Sequence, residues 1–201
     1  MPTFFKAPVG YEEAREVSEI QIRSLNSFQQ EVLEAFQRGK LDHNRHQEFA
    51  TFNLAQILNR FEHYRQEAEY HGILTILARA EADLKDDFQR RKLQQTPFIS
   101  FYLRYGDRFR LDELLDLWKV TDPSSASAIG DFKGARLLRH WLAHGRNYNA
   151  NLGKSYTVLD AFTIAQRLRL SVASFPITIE VPGFRQTIGL WLLRLRIRFY
   201  R

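Results

Sequence analysis

Apolar residues along the first half of the chain recur at spacings of three and four, the period of a helix with one buried side. Val17, Ile20, Leu25, Phe28, Val32, Leu33 and Phe36 predict a helix over residues 11–38, with Gly39 as its stop signal. After a polar linker, "KLDHNRHQE", the residues Phe49, Phe52, Leu54, Ile57, Leu58 and Phe61 predict a second helix over 47–70. Gly72 then breaks or bends the chain. Ile73, Ile76, Leu77, Ala80, Leu84 and Phe88 predict a third helix over 73–93, which Pro97 keeps from extending further.

Residues 97–120 are mixed, with a short helix expected at 111–119. The Pro, Gly and Ser content of "TDPSSASAIGD" reads as a loop. A further helix is expected over 132–146. Thr157 and Asp160 form a T-x-x-D capping pattern ahead of a last helix that ends near residue 174. Beyond Pro176 the period changes to two. Leu193, Leu195, Ile197 and Phe199 fall on one side, and Arg194, Arg196 and Arg198 on the other, the pattern of a β-ribbon. The expected architecture is therefore all-α over residues 1–175, with a small basic β-hairpin extension over 176–201. The apolar side of that ribbon is expected to pack on the bundle or on a second copy, with its arginines outward. Those arginines then protect an edge strand, hold nucleic acid, or lie on a membrane surface.

Composition narrows the class. The 201 residues carry no cysteine, which removes disulfides and thiolate chemistry and fits a cytoplasmic location. No apolar run approaches the roughly 20 residues a membrane span needs, and the N-terminus lacks the layout of a secretory signal. Net charge is +6, and five arginines against one acid after residue 175 supply four of those charges. Such a balance points to a polyanionic partner.

The chemistry concentrates in "RLLRHWLAHGRNYN", residues 136–149. On a helical wheel Arg136, Arg139, His140, Ala143, His144 and Asn147 share one side. Gly134, Ala135, Leu137, Leu138, Trp141, Leu142 and Gly145 share the other, which reads as the core face. There is no acid between Lys133 and Asn149. A neutral imidazole can take a proton near neutral pH, and an arginine can hold a phosphate or the extra charge of a phosphoryl transition state. An RNA 2′-hydroxyl is an internal nucleophile, so base plus arginine suffices in principle for RNA cleavage. Other readings stay open. His140 and His144 have the i, i+4 spacing of a metal pair, although the helix supplies no acid or cysteine to join them, and no metal or cofactor is expected. His144 can be a structural residue beside the Gly145 bend. Arg139 can pair with an acid on another helix. Glu81 is a candidate for that acid, orienting Arg139 or His144, or else a solvated residue. His43, His46, His63 and His71 read as ordinary surface or linker residues.

"RHWLAHG" resembles the R-x4-H motif of the HEPN superfamily (higher eukaryotes and prokaryotes nucleotide-binding domains). Arg139 matches the motif arginine, His144 the motif histidine, and His140 the polar position after the arginine. The resemblance implies an all-α bundle and, in active members, a metal-independent endoribonuclease that acts as a toxin or antiviral effector. It implies catalytic roles for Arg139, His144 and His140. Arg136, Arg146 and Asn147 of the same basic stretch are candidates to contact RNA. As partners the resemblance implies RNA, a second copy of the chain, and an antitoxin or defence-system protein. The alternative is a HEPN-like module that binds nucleotide, nucleic acid or protein without catalysis.

Overall fold

The computed structural model describes residues 10–41, 44–144 and 155–174. Six α-helices run through them: α1 (Tyr11–Gln37), α2 (Leu54–Arg91), α3 (Thr96–Tyr105), α4 (Leu111–Thr121), α5 (Ala126–Ala143) and α6 (Val158–Ser174). No strand occurs among the described residues, and the expected β-ribbon lies outside them. None of the described helices is long and apolar enough to cross a membrane. The chain divides into two compact units. One comprises Met1–Arg79 with Ala135–Ala165, the other Ala80–Gly134 with Gln166–Arg201.

In the first unit, α1 stops where expected. Gly39 takes a φ of 62°, and its N–H donates to the Phe36 carbonyl at 3.0 Å while Lys40 N–H reaches Ala35 at 2.9 Å. A glycine just past a helix end accepts that left-handed conformation without a Cβ clash. The second helix begins later than its periodicity indicates. Phe49 belongs to a 3-10 turn, Gln47–Phe49, and α2 starts at Leu54. Asn53 caps that start: its side-chain oxygen accepts from the Gln56 N–H at 2.9 Å. Phe49 is nonetheless core, forming a buried cluster with Val32, Ile57 and Phe61. The Phe49 and Phe61 rings stack at 5.1 Å, and Phe28 meets Phe61 edge-on at 5.7 Å. His46, expected at the surface, is 5 % exposed, with Nε2 3.1 Å from Glu31 Oε1. Arg45 holds the same carboxylate at 2.8 Å.

Gly72 neither breaks nor ends a helix; α2 is continuous for 38 residues. The glycine has a packing role instead. A Cβ at that position would lie 2.8 Å from Ser18 Oγ and 3.1 Å from Val158 Cγ2. The N-terminal half of α1 therefore buries Tyr11, Ala14 and Ser18, and the larger Val17 and Ile20 that define its predicted face remain exposed. Small side chains let helix backbones approach where large ones hold them apart.

In the second unit, the segment read as mixed contains α3. Pro97 opens that helix at its first turn, where its missing N–H costs nothing. The Ser/Ala-rich stretch read as loop is mostly helix: after a 3-10 turn at Pro123–Ser125, α5 begins at Ala126. The Asp122 side chain accepts the Ser124 N–H at 3.1 Å and starts the turn. Ala128, Ile129 and Phe132 are then buried. At the start of α6, which belongs to the first unit, the capping pattern holds in both directions. Thr157 Oγ1 accepts the Asp160 N–H at 3.1 Å, and Asp160 accepts the Thr157 N–H at 2.9 Å.

Arg91 organises this unit. It is 1 % exposed. Its Nε donates to Asp87 Oδ2 at 2.7 Å, Nη1 to Gln95 Oε1 at 3.2 Å, and Nη2 to the Val172 carbonyl at 3.0 Å. The guanidinium lies over the Trp118 ring, 4.6 Å from its centroid. Asp87 is itself buried. Arg91→Met is expected to destabilise the protein by about 3–5 kcal/mol, because it leaves the buried Asp87 carboxylate with only the longer 3.4 Å contact to the exposed Arg90. Arg91→Met with Asp87→Leu should recover much of that loss. Urea unfolding of the single and double variants measures both.

Candidate functional site

Apart from Glu81, the described residues of the predicted site belong to the first unit: Arg136, Arg139 and His140 on the C-terminal part of α5, and His144 just past its end. The two histidines and Ala143 of the wheel's polar side are exposed, whereas Arg136 and Arg139 are half-buried. His140 and His144 are exposed, and their ring centroids are 4.2 Å apart with planes inclined at 56°. The backbone holds that spacing, since His144 N–H donates to the His140 carbonyl at 3.1 Å. The two imidazoles share one patch of surface, where each can donate or accept according to its tautomer.

The packed side of α5 is rotated from the one the apolar pattern predicts. Ala135 and Leu138 are buried, whereas Leu137, assigned to the core face, is 58 % exposed. Trp141 is half-buried, edge-on to the Tyr70 ring at 6.1 Å. Arg139 lies at the edge of the stripe these two define, about 40° from Ala135 and 100° from Leu138 at 100° per residue. It is half-buried, and its Nε is sealed from solvent. Its stem thus runs along packed surface, as the methylenes of a long cationic side chain readily do. Arg136 is also half-buried. The structure brings the two histidines together and turns Arg139 toward the packed side of the same helix.

Glu81 is 8 % exposed, with Oε1 closed off from water, which excludes the reading as a solvated glutamate. Arg146 and Asn147, expected to contact RNA, lie outside the described residues, as do Gly145 and His43. Among the described residues no three His, Asp or Glu side chains converge as a metal-ligand set.

Sequence periodicity did not indicate Tyr70, the aromatic wall behind Trp141. Its hydroxyl accepts from Gln66 Nε2 at 2.9 Å, one turn earlier on α2. A Tyr one residue before an exposed His71 carries no pattern that separates it from a surface aromatic.

Comparison of the chain with protein-family models, with curated proteins and with solved structures finds no match.

The exposure of the two imidazoles has a measurable consequence. His140→Ala and His144→Ala should each change unfolding free energy by no more than about 0.5 kcal/mol, as surface substitutions generally do. Trp141→Ala should cost about 2 kcal/mol, less than the roughly 3–5 kcal/mol lost from a fully buried Trp. Thermal and urea unfolding of the three variants tests the ordering. A large loss at either histidine would assign it to the fold.

Proposed function

We propose that the protein is a metal-independent endoribonuclease of the HEPN type, cutting RNA by attack of the 2′-hydroxyl on the adjacent phosphorus. The observation that carries this reading is the exposed His140–His144 pair, 4.2 Å apart on a helix turn that also bears Arg139. In this reaction the P–O2′ bond forms as the P–O5′ bond breaks. His144 takes the 2′-hydroxyl proton or returns one to the leaving 5′-oxygen, and His140 assists through its contact with His144. Arg139 offsets the charge that gathers on the phosphorane oxygens. The products are a 2′,3′-cyclic phosphate and a 5′-hydroxyl. A second copy of the chain, facing this one across a two-fold axis, would supply the histidine for the other proton transfer. An antitoxin or defence-system protein would be the natural regulator of such an activity, and the cytoplasm its location.

One observation favours the rival reading, a HEPN-like module that binds nucleotide, nucleic acid or protein without catalysis. Arg139 is half-buried and its Nε is shut off from solvent, the position of a residue that supports the helix as much as it meets a ligand.

Incubation of the purified protein with labelled transfer and messenger RNA in EDTA separates the two. The nuclease reading expects discrete cleavage ending in 2′,3′-cyclic phosphate. His144→Ala should lower the rate by roughly 10²–10⁴-fold, the usual contribution of a positioned proton-transfer group, and Arg139→Ala should act in the same direction. Full activity in His144→Ala at a confirmed cleavage site removes the catalytic assignment. Binding without cleavage supports the module.

A further inference from the structure

The histidine pair has a second chemical capacity. His140 and His144 are both exposed, one helical turn apart, with ring centroids 4.2 Å from each other. Imidazole nitrogen binds late first-row cations, whereas Mg²⁺ and Ca²⁺ prefer oxygen. The separation of the rings selects further. With metal–nitrogen bonds of about 2.0–2.1 Å and each ring centre about 1.2 Å behind its nitrogen, two imidazoles on one ion have centroids about 4.5 Å apart at a right angle and about 5.2 Å apart at a tetrahedral angle. The observed 4.2 Å is closest to the right angle, which neighbouring ligands make in the tetragonal shells of Cu²⁺ and Ni²⁺. Aiming one nitrogen of each ring at a common point takes rotation about χ2, a soft torsion in histidine. The turn itself is already closed, since His144 N–H donates to the His140 carbonyl at 3.1 Å. An ion caught by one imidazole therefore meets the second without ordering any backbone.

We propose that His140 and His144 form a two-point chelate for a divalent cation of the Cu²⁺ or Ni²⁺ class, with water in the remaining positions. The expectation of no metal rested on the lack of an acid or cysteine in the helix to join the pair, and a chelate of two ligands needs none. Its affinity is modest for the same reason: no third His, Asp or Glu joins the pair among the described residues. Arg136, one turn before His140, opposes a cation by its charge and limits the affinity further. Of the other described histidines, His46 is buried against Glu31, and His63 and His71 have no second imidazole one turn away. An ion on the pair occupies nitrogens that the nuclease reading uses to move protons, so cation binding and RNA cleavage exclude each other. That consequence rests on the nuclease reading; the chelate does not.

The test titrates the full chain, purified without a histidine tag, with NiCl₂ by calorimetry. One ion per chain is expected. His140→Gln and His144→Gln should each weaken binding at least about ten-fold, because the second imidazole acts as an intramolecular ligand. His63→Gln is the control, since His63 Nδ1 lies 4.0 Å from Glu67 Oε1 one turn on and forms the rival pair. It should leave the affinity unchanged. Affinity that survives either substitution in the pair, or that falls with His63→Gln, overturns the proposal. One ion per two chains also overturns it, because the ion then bridges copies. A second measurement needs no variant: electron spin-echo modulation of Cu²⁺ on the unaltered chain counts the imidazoles bound. Two are expected, and one overturns the chelate. Cleavage assays separate this proposal from the nuclease reading. Ni²⁺ that binds the pair and leaves RNA cleavage untouched removes the pair from catalysis and keeps the chelate. Cleavage that depends on His144 in a chain that binds no Ni²⁺ keeps the nuclease and overturns the chelate.

Discussion

A charge sealed from water sets the strictest condition on the second unit. Moving a guanidinium out of solvent costs several kcal/mol unless hydrogen bonds replace those to water. Arg91 has such bonds to Asp87 and Gln95, four residues to either side, and to the Val172 carbonyl at the far end of α6. The last of these is one of the four carbonyls that the end of any helix leaves without an intrahelical donor. One side chain thus offsets two deficits, its own desolvation and the open end of α6. Trp118 closes the remaining face with its ring. α4 and α6 cannot shift independently of α2 without exposing one of these groups.

The first unit is held by different means. Its aromatic cluster around Phe49 and Phe61 is apolar and tolerant in geometry, whereas the contact of Ser18 with Gly72 allows almost no variation. The histidine pair is attached to this frame through α5, whose Ala135 and Leu138 are buried and whose Trp141 leans on Tyr70. The imidazoles themselves contribute little to packing. The division leaves the chemistry of the pair separable from the stability of the helix that presents it.

Local chemistry made some of this legible in the sequence. A T-x-x-D pattern needs only four residues to act, and Thr157 with Asp160 caps α6 as read. Gly39 likewise ends α1. The spacing of His140 and His144 is a property of any helix, so their contact followed once the segment was known to be helical. The failures share a cause: their meaning depends on a distant neighbour. Pro97 both forbids the extension of α2 and starts α3, and composition alone favours the first. Gly72 reads as a breaker until Ser18 is placed against it. Ser and Ala in residues 124–128 have no periodic contrast, so their helix shows only through Ile129 and Phe132. The rotation of α5 is the most instructive case. The wheel assigned Leu137 to the core face and Arg139 to the polar face, but a single exposed leucine is ordinary and an arginine stem is largely hydrocarbon.

The tight crossing at Gly72 has a consequence for genetics. Any larger residue there must push back Ser18 Cβ, 2.9 Å from where its own Cβ would sit, and that atom belongs to a helix rather than to a mobile tip. Alleles at this codon would therefore behave as folding lesions, conditional on temperature and visible as lowered cellular abundance. A selection for chains that have lost function would collect them whatever that function is, because they fail through the fold. Immunoblotting the survivors at two growth temperatures would sort them from alleles that leave abundance unchanged.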